Sequence, residues 1–140
     1  MTATTETARS TPGRAARAYA VLTWIYAACF VVPAVPVSIH LLQRGSLPWF
    51  GRLFPMYGGP WSSQLPDGRL VGLLLGYLGL VAAVAWAAGR VRQGSRRAAV
   101  VSLALMPVEA VFWIGFALPI PWILAAARAA LLAAAWRRLR

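Results

Sequence analysis

Glu109 and Arg128 are the only charged residues deep inside apolar stretches of this sequence. A carboxyl group in such surroundings can donate a proton, hold a cation or contact a substrate. A guanidinium beside it can position it or bind an anionic group. Their spacing relates them: each is equally distant along the chain from the point between Leu118 and Pro119, in the turn over residues 117–121. If the flanking segments are antiparallel helices, both lie about 10 to 15 Å from that turn and level with each other. A lone charge at membrane depth costs roughly 2.5–3.5 kcal/mol on insertion scales, so a facing pair is expected. Such a pair is either a clamp between two helices or part of a functional cavity.

Other residues fall near the same level. Tyr77 reaches a similar depth by the same counting, and Trp113 follows Glu109 at i+4 on one helical face. Pro107, two residues before Glu109, removes a backbone donor and loosens the helix where the acid sits. His40 and Asp67 fall at the outer ends of their helices, His40 suited to an interface and Asp67 to a helix cap. With Trp49, Tyr57 and Trp61 from the loop between them, the candidate binding set is Glu109, Arg128, Tyr77, Trp113, His40, Trp49, Tyr57 and Trp61, with Glu109 the candidate catalytic residue.

Metal and nucleotide chemistry find no residues to carry them. The single cysteine, Cys29, cannot form an internal disulfide or a thiolate cluster. No Walker loop, nucleophile elbow, Cys/His constellation or dinucleotide fingerprint is present. The sequence therefore implies no cofactor and no metal.

The elements that must position these residues are read from composition. Of 140 residues, 60% are hydrophobic and only 12% charged, and the apolar residues form blocks of bilayer length rather than amphipathic stripes. The expected fold is all-α: an integral membrane four-helix bundle with spans over residues 18–38, 70–88, 98–116 and 121–136. Residues 1–17 read as a disordered basic leader and 137–140 as a basic tail. Gly72 and Gly76, with Gly79 a turn later, give the second span a smooth face for close helix packing.

Residues 39–69 hold four prolines and five aromatics, Trp49, Phe50, Phe54, Tyr57 and Trp61, and read as a structured loop. Ser46 is placed to cap a short segment lying on the membrane surface, and the aromatics should fold back onto the bundle rather than face water. The net charge of +11 comes from 14 Arg against Glu6, Asp67 and Glu109. Those arginines sit at the edges of the apolar blocks rather than on a soluble basic face, which argues for lipid headgroups and against nucleic acid. Ten fall in the leader, the loop over residues 89–97 and the tail; Arg44, Arg52 and Arg69 fall opposite. The positive-inside rule then puts both termini in the cytoplasm, the aromatic loop outside and the protein in the cell membrane as a multi-pass chain.

Two resemblances follow from these residues. Pro107-Val108-Glu109 with Phe112 resembles the Pro-x-Glu-Glu plus aromatic pattern of small membrane-bound carotenoid cyclases, over about six residues and with Ala110 in place of the second acid. It implies an intramembrane acid acting on an apolar isoprenoid. In size and in its one membrane Glu the chain also resembles four-helix multidrug transporters, whose Glu lies in the first helix, where this chain has no charge. The leading expectation is a non-enzymatic protein that binds a lipid-like molecule or a membrane protein partner through an outer-half pocket and the aromatic loop. An enzyme using Glu109 as acid on a hydrophobic substrate, and a proton-coupled exporter, are the alternatives.

Overall fold

The computed structural model describes residues 13–140. Residues 1–12, most of the expected leader, lie outside the described residues. The remainder of that leader is helical: α1 runs Arg14–Val31, because the Ala-rich segment after Gly13 contains nothing that breaks a helix. Pro33 lacks the N–H that would continue the ladder, so α1 ends at Val31 and α2, Ala34–Arg44, resumes at once. The break is slight, with Val32 still in right-handed helical geometry, and the two pieces make one 31-residue apolar rod. Pro36 sits in the first turn of α2, where a missing N–H leaves no bond unmade. Gly45, at φ 61°, closes α2 with its N–H on the Leu41 carbonyl. The first span is thus longer at both ends than residues 18–38, and the following loop correspondingly shorter.

That loop contains no Ser46-capped helix. Gly51 and Arg52 both take left-handed backbone angles, the pattern of a primed hairpin turn, and they join β1 (Trp49–Phe50) to β2 (Phe54–Pro55) antiparallel, Phe50 opposite Phe54. A short helix α3, Pro60–Gln64, follows. Then α4, Asp67–Arg92, starts after extended Pro66. Asp67 occupies its first turn, favourable to the helix dipole, but its side chain caps nothing. Gly89 does not end α4, since a single Gly costs an apolar helix only about 1 kcal/mol; Gly94, at φ 95°, makes the turn instead. Ser95 caps α5, Arg96–Gly115, with its Oγ accepting from Ala98 N–H. Ala117, at φ 49°, reverses the chain into α6, Ile120–Ala135, and a 3-10 turn over Trp136–Arg138 ends it.

Four helices are each long and apolar enough to cross a bilayer: the α1–α2 rod, α4, α5 and α6 with its 3-10 turn. They form a helical bundle in which α4 lies between the α1–α2 rod and α5, and α6 packs chiefly on α1 with a lighter contact to α5. Two apolar cores result. One, around Tyr26, Leu74, Tyr77, Trp113 and Phe116, lies toward the aromatic loop; the other, built from Ala16, Ala20, Ala87, Ala88, Ala99 and Ala135, lies toward the arginine-rich end. The outer surface is itself apolar, with Ile25, Leu75, Val111, Ile114 and Ile123 all more than half exposed. Gly72, Gly76 and Gly79 also face outward, with open space where a Cβ would stand, so the smooth face of α4 is not used within this chain.

Glycine is required at one contact that positions the loop. A Cβ on Gly115 would stand 2.2 Å from the Trp61 ring, which packs edge-on against Phe112 and Phe116. Gly115→Ala should therefore lower stability by roughly 1–3 kcal/mol, and in a Trp61→Ala background the same change should be nearly neutral. Thermal unfolding in detergent of the single and double variants gives the coupling; additive losses would show that the contact does not hold the loop.

Candidate functional site

Glu109 lies on α5 and Arg128 on α6, two helices that pack less closely than their neighbours, so a long side chain has room to cross between them. Arg128 Nη1 donates to both Glu109 oxygens at 3.1 Å, and both side chains are fully buried. One nitrogen sharing itself between two oxygens is not the two-pronged fork that Arg usually offers a carboxylate. Nε and Nη2 therefore have no protein partner among the described residues.

Tyr26 completes the arrangement. Its ring carries the Arg128 guanidinium, with Cζ 5.1 Å from the centroid, a cation–π contact in dry surroundings. Its hydroxyl accepts from Trp113 Nε1 at 3.1 Å and shares a hydrogen bond with the Tyr77 hydroxyl at 2.7 Å. Four helices thus each supply one or more members: Tyr26 from α1, Tyr77 from α4, Glu109 and Trp113 from α5, Arg128 from α6. Two turns along α1 and α5 from Tyr26 and Glu109, the Tyr19 hydroxyl and Ser102 Oγ are buried, also without partners among the described residues. Unpaired polar atoms at this density in an apolar core are rare. Glu109, Arg128, Tyr26, Tyr77 and Trp113 make a polar layer at the inner edge of the aromatic cluster.

The expected site residues divide into three sets. Glu109, Arg128, Tyr77 and Trp113 come together in the polar layer. Tyr57 and Trp61 fold in above it: Tyr57 is buried and donates its hydroxyl to the Phe30 carbonyl, with its ring edge-on to Phe116. Burial, reinforced by the nearby Tyr77 hydroxyl, pushes the Tyr57 phenol above its ordinary pKa and keeps it a donor. His40 and Trp49 join neither group: His40 is half-buried on α2 and Trp49 is 62% exposed on the hairpin. The loop aromatics accordingly do not all fold back. Trp49, Phe50 and Phe54 remain exposed, because two-residue strands are too short to cover both faces of their own hairpin. Tyr26 and Phe116 escaped sequence reasoning, since an aromatic residue in a helix of aromatics and aliphatics carries no distinguishing mark.

Between hairpin and bundle lies an apolar cavity of about 540 Å³. Phe30, Phe54, Tyr57, Phe116, Leu118 and Pro119 are among its walls. Tyr57 and Phe116 divide it from the polar layer below. Comparison with protein-family models, curated proteins and solved structures finds no match to this chain, so the arrangement must be read from its own chemistry.

Removing one partner of the buried pair strands a charge. Arg128→Ala should destabilise by about 3–5 kcal/mol, whereas Glu109→Gln with Arg128→Gln should recover much of that loss. Tyr26→Phe leaves the Trp113 N–H without an acceptor and should cost about 1–3 kcal/mol. Unfolding midpoints of the purified variants in one detergent check all three; equal losses in Arg128→Ala and the double variant would show the pair to be energetically idle.

Proposed function

We propose that this chain is a multi-pass membrane protein with both ends in the cytoplasm, and that its outer-end apolar cavity receives the hydrophobic part of a lipid-like molecule. The observation that carries the reading is that cavity of about 540 Å³, walled by aromatic and aliphatic side chains and proline. A pocket of this size and lining suits a drug-sized or lipid-sized apolar ligand. It also opens beside Trp49, Phe50, Leu53 and Phe54, all at least 55% exposed, a patch that suits the headgroup boundary of a bilayer. Phe54 belongs to both patch and cavity wall, so a molecule reaching the hairpin from the lipid meets the cavity directly.

In this reading the polar layer beneath the cavity is a rigid floor. Glu109 has both oxygens engaged by Arg128 and no solvent-accessible surface at which a substrate or cation could meet it. The enzyme and exporter readings, which both need Glu109 to exchange protons, draw no support from it.

The orientation rests on the distribution of arginines in the sequence, ten over residues 1–17, 89–97 and 137–140 against Arg44, Arg52 and Arg69. Single cysteines in place of Ser62 and Ser95, in a Cys29→Ser background, should react with an impermeant thiol reagent from outside the cell and only after permeabilisation, respectively. The reverse pattern would overturn the orientation.

Ligand binding is tested by titrating the detergent-solubilised protein with the fluorescent fatty acid cis-parinaric acid. Wild type should bind saturably. Leu118→Trp, which fills the cavity, should weaken binding about tenfold or more, equivalent to roughly 1.4 kcal/mol, without lowering the unfolding midpoint. Undiminished binding by Leu118→Trp would place the ligand elsewhere.

A further inference from the structure

At the opposite end of the bundle, the first turn of α1, the α4–α5 turn and the last residues of the chain enclose a second cavity, of about 740 Å³. Its walls are pinned by backbone bonds. Arg140 N–H donates to the Gly94 carbonyl at 2.9 Å and the Arg140 carbonyl accepts from Arg96 N–H at 2.8 Å, while Leu139 between them is buried. On the other side Gly13 lies so close to Arg138 that a Cβ would stand 3.1 Å from its Cδ.

The lining is strongly cationic. Arg14, Arg137, Arg138 and Arg140 all border the cavity, and among the described residues no carboxylate side chain does and the one ion pair is the distant Glu109–Arg128 contact. Guanidinium groups crowded together, with no acidic side chain among the described residues to offset them, repel one another and raise the potential of the space they share. The backbone adds to this, because 18-residue α1 starts here with no side-chain cap at Gly13. The N–H groups of its first turn and the positive end of its dipole therefore belong to the same wall. Planar guanidinium forks together with helix-start N–H groups are the donor set that matches phosphate oxygens.

We infer that this cavity binds a phosphate group, supplied at a membrane surface by the headgroup of an anionic phospholipid. The arginines meet the headgroup charge and the α1 N–H groups cap a phosphate oxygen, which anchors the N-terminal and C-terminal helices to one lipid. This inference goes beyond the apolar cavity at the other end and needs the membrane reading only for the source of the phosphate. A soluble phosphate compound offers the same chemistry, and the experiment separates the two sources.

The full chain, purified in a non-ionic detergent, is titrated separately with dioleoyl-phosphatidylglycerol, oleate and inorganic phosphate, and bound species are counted by native mass spectrometry. Phosphatidylglycerol should be retained saturably and oleate, an anion without phosphate, much less. Arg14→Gln with Arg138→Gln should weaken phosphatidylglycerol retention at least about tenfold, while Arg52→Gln with Arg69→Gln, at the far end, should leave it unchanged. Arg138→Lys, which keeps the charge and loses the fork, should also weaken retention, and it serves if the double variant does not fold. Saturable binding of inorganic phosphate that depends on Arg14 and Arg138 and displaces phosphatidylglycerol would keep the site and assign it to a soluble phosphate. Equal retention by the Arg14/Arg138 variant, equal weakening by both arginine pairs, or oleate bound as tightly as phosphatidylglycerol would each overturn the proposal. Oleate and phosphatidylglycerol both carry acyl chains that suit the outer-end cavity, so every titration is made in the Leu118→Trp background, where that cavity is filled, and the two readings then fail independently.

Discussion

A carboxylate and a guanidinium removed from water must find each other or a substitute for water, and at Glu109 and Arg128 that requirement organises the middle of the bundle. Separating two buried charges is far less favourable than separating two apolar contacts, so α5 and α6, which touch only lightly elsewhere, are tied at this level. Tyr26 extends the tie to α1 through its ring and to α4 through its hydroxyl. The same residue thus carries a cation on its face and a two-partner hydrogen-bond array at its edge. Each interaction orients the ring for the other.

The two halves of the molecule pack differently around this layer. Toward the arginine-rich end the core is mostly alanine, which lets backbones approach closely and leaves the polar heads of Trp24, Arg92, Arg96 and Trp136 to form cation–π contacts outside it. Toward the loop the core is aromatic, with rings meeting edge-on in pairs such as Tyr57–Phe116 and Trp61–Phe116. The character of each cavity follows from those residue choices: one end gathers large rings under a hairpin, the other gathers the start of α1, the α4–α5 turn and the Arg-rich residues 137–140.

The outward faces carry a further constraint. Even the best-covered of the four long helices has only 39% of its most apolar stretch buried inside the chain. So apolar an exterior requires an apolar surrounding or a partner. The open glycine face of α4 lies on that exterior and permits close approach by another helix without specifying one.

Four long apolar helices, the polar pair at matched depth and the arginine-rich end were legible in the sequence, because block length, residue type and counting along a helix are properties of the chain itself. So were Tyr77 and Trp113, which the same counting places near Glu109. Helix ends were less legible: the expected spans over residues 18–38 and 70–88 stop short of the observed Arg14–Arg44 rod and Asp67–Arg92, because a single Gly89 costs a helix little and Pro33 makes only a break within the rod. Rotation about each helix axis was not legible at all. It decides that Tyr26 rather than another residue of α1 meets the pair, that Gly72 and Gly76 face outward, and that Phe116 packs beside Tyr77. In a segment apolar on every side, no periodic pattern marks which face turns inward; that choice emerges only when four such helices settle their side chains against one another.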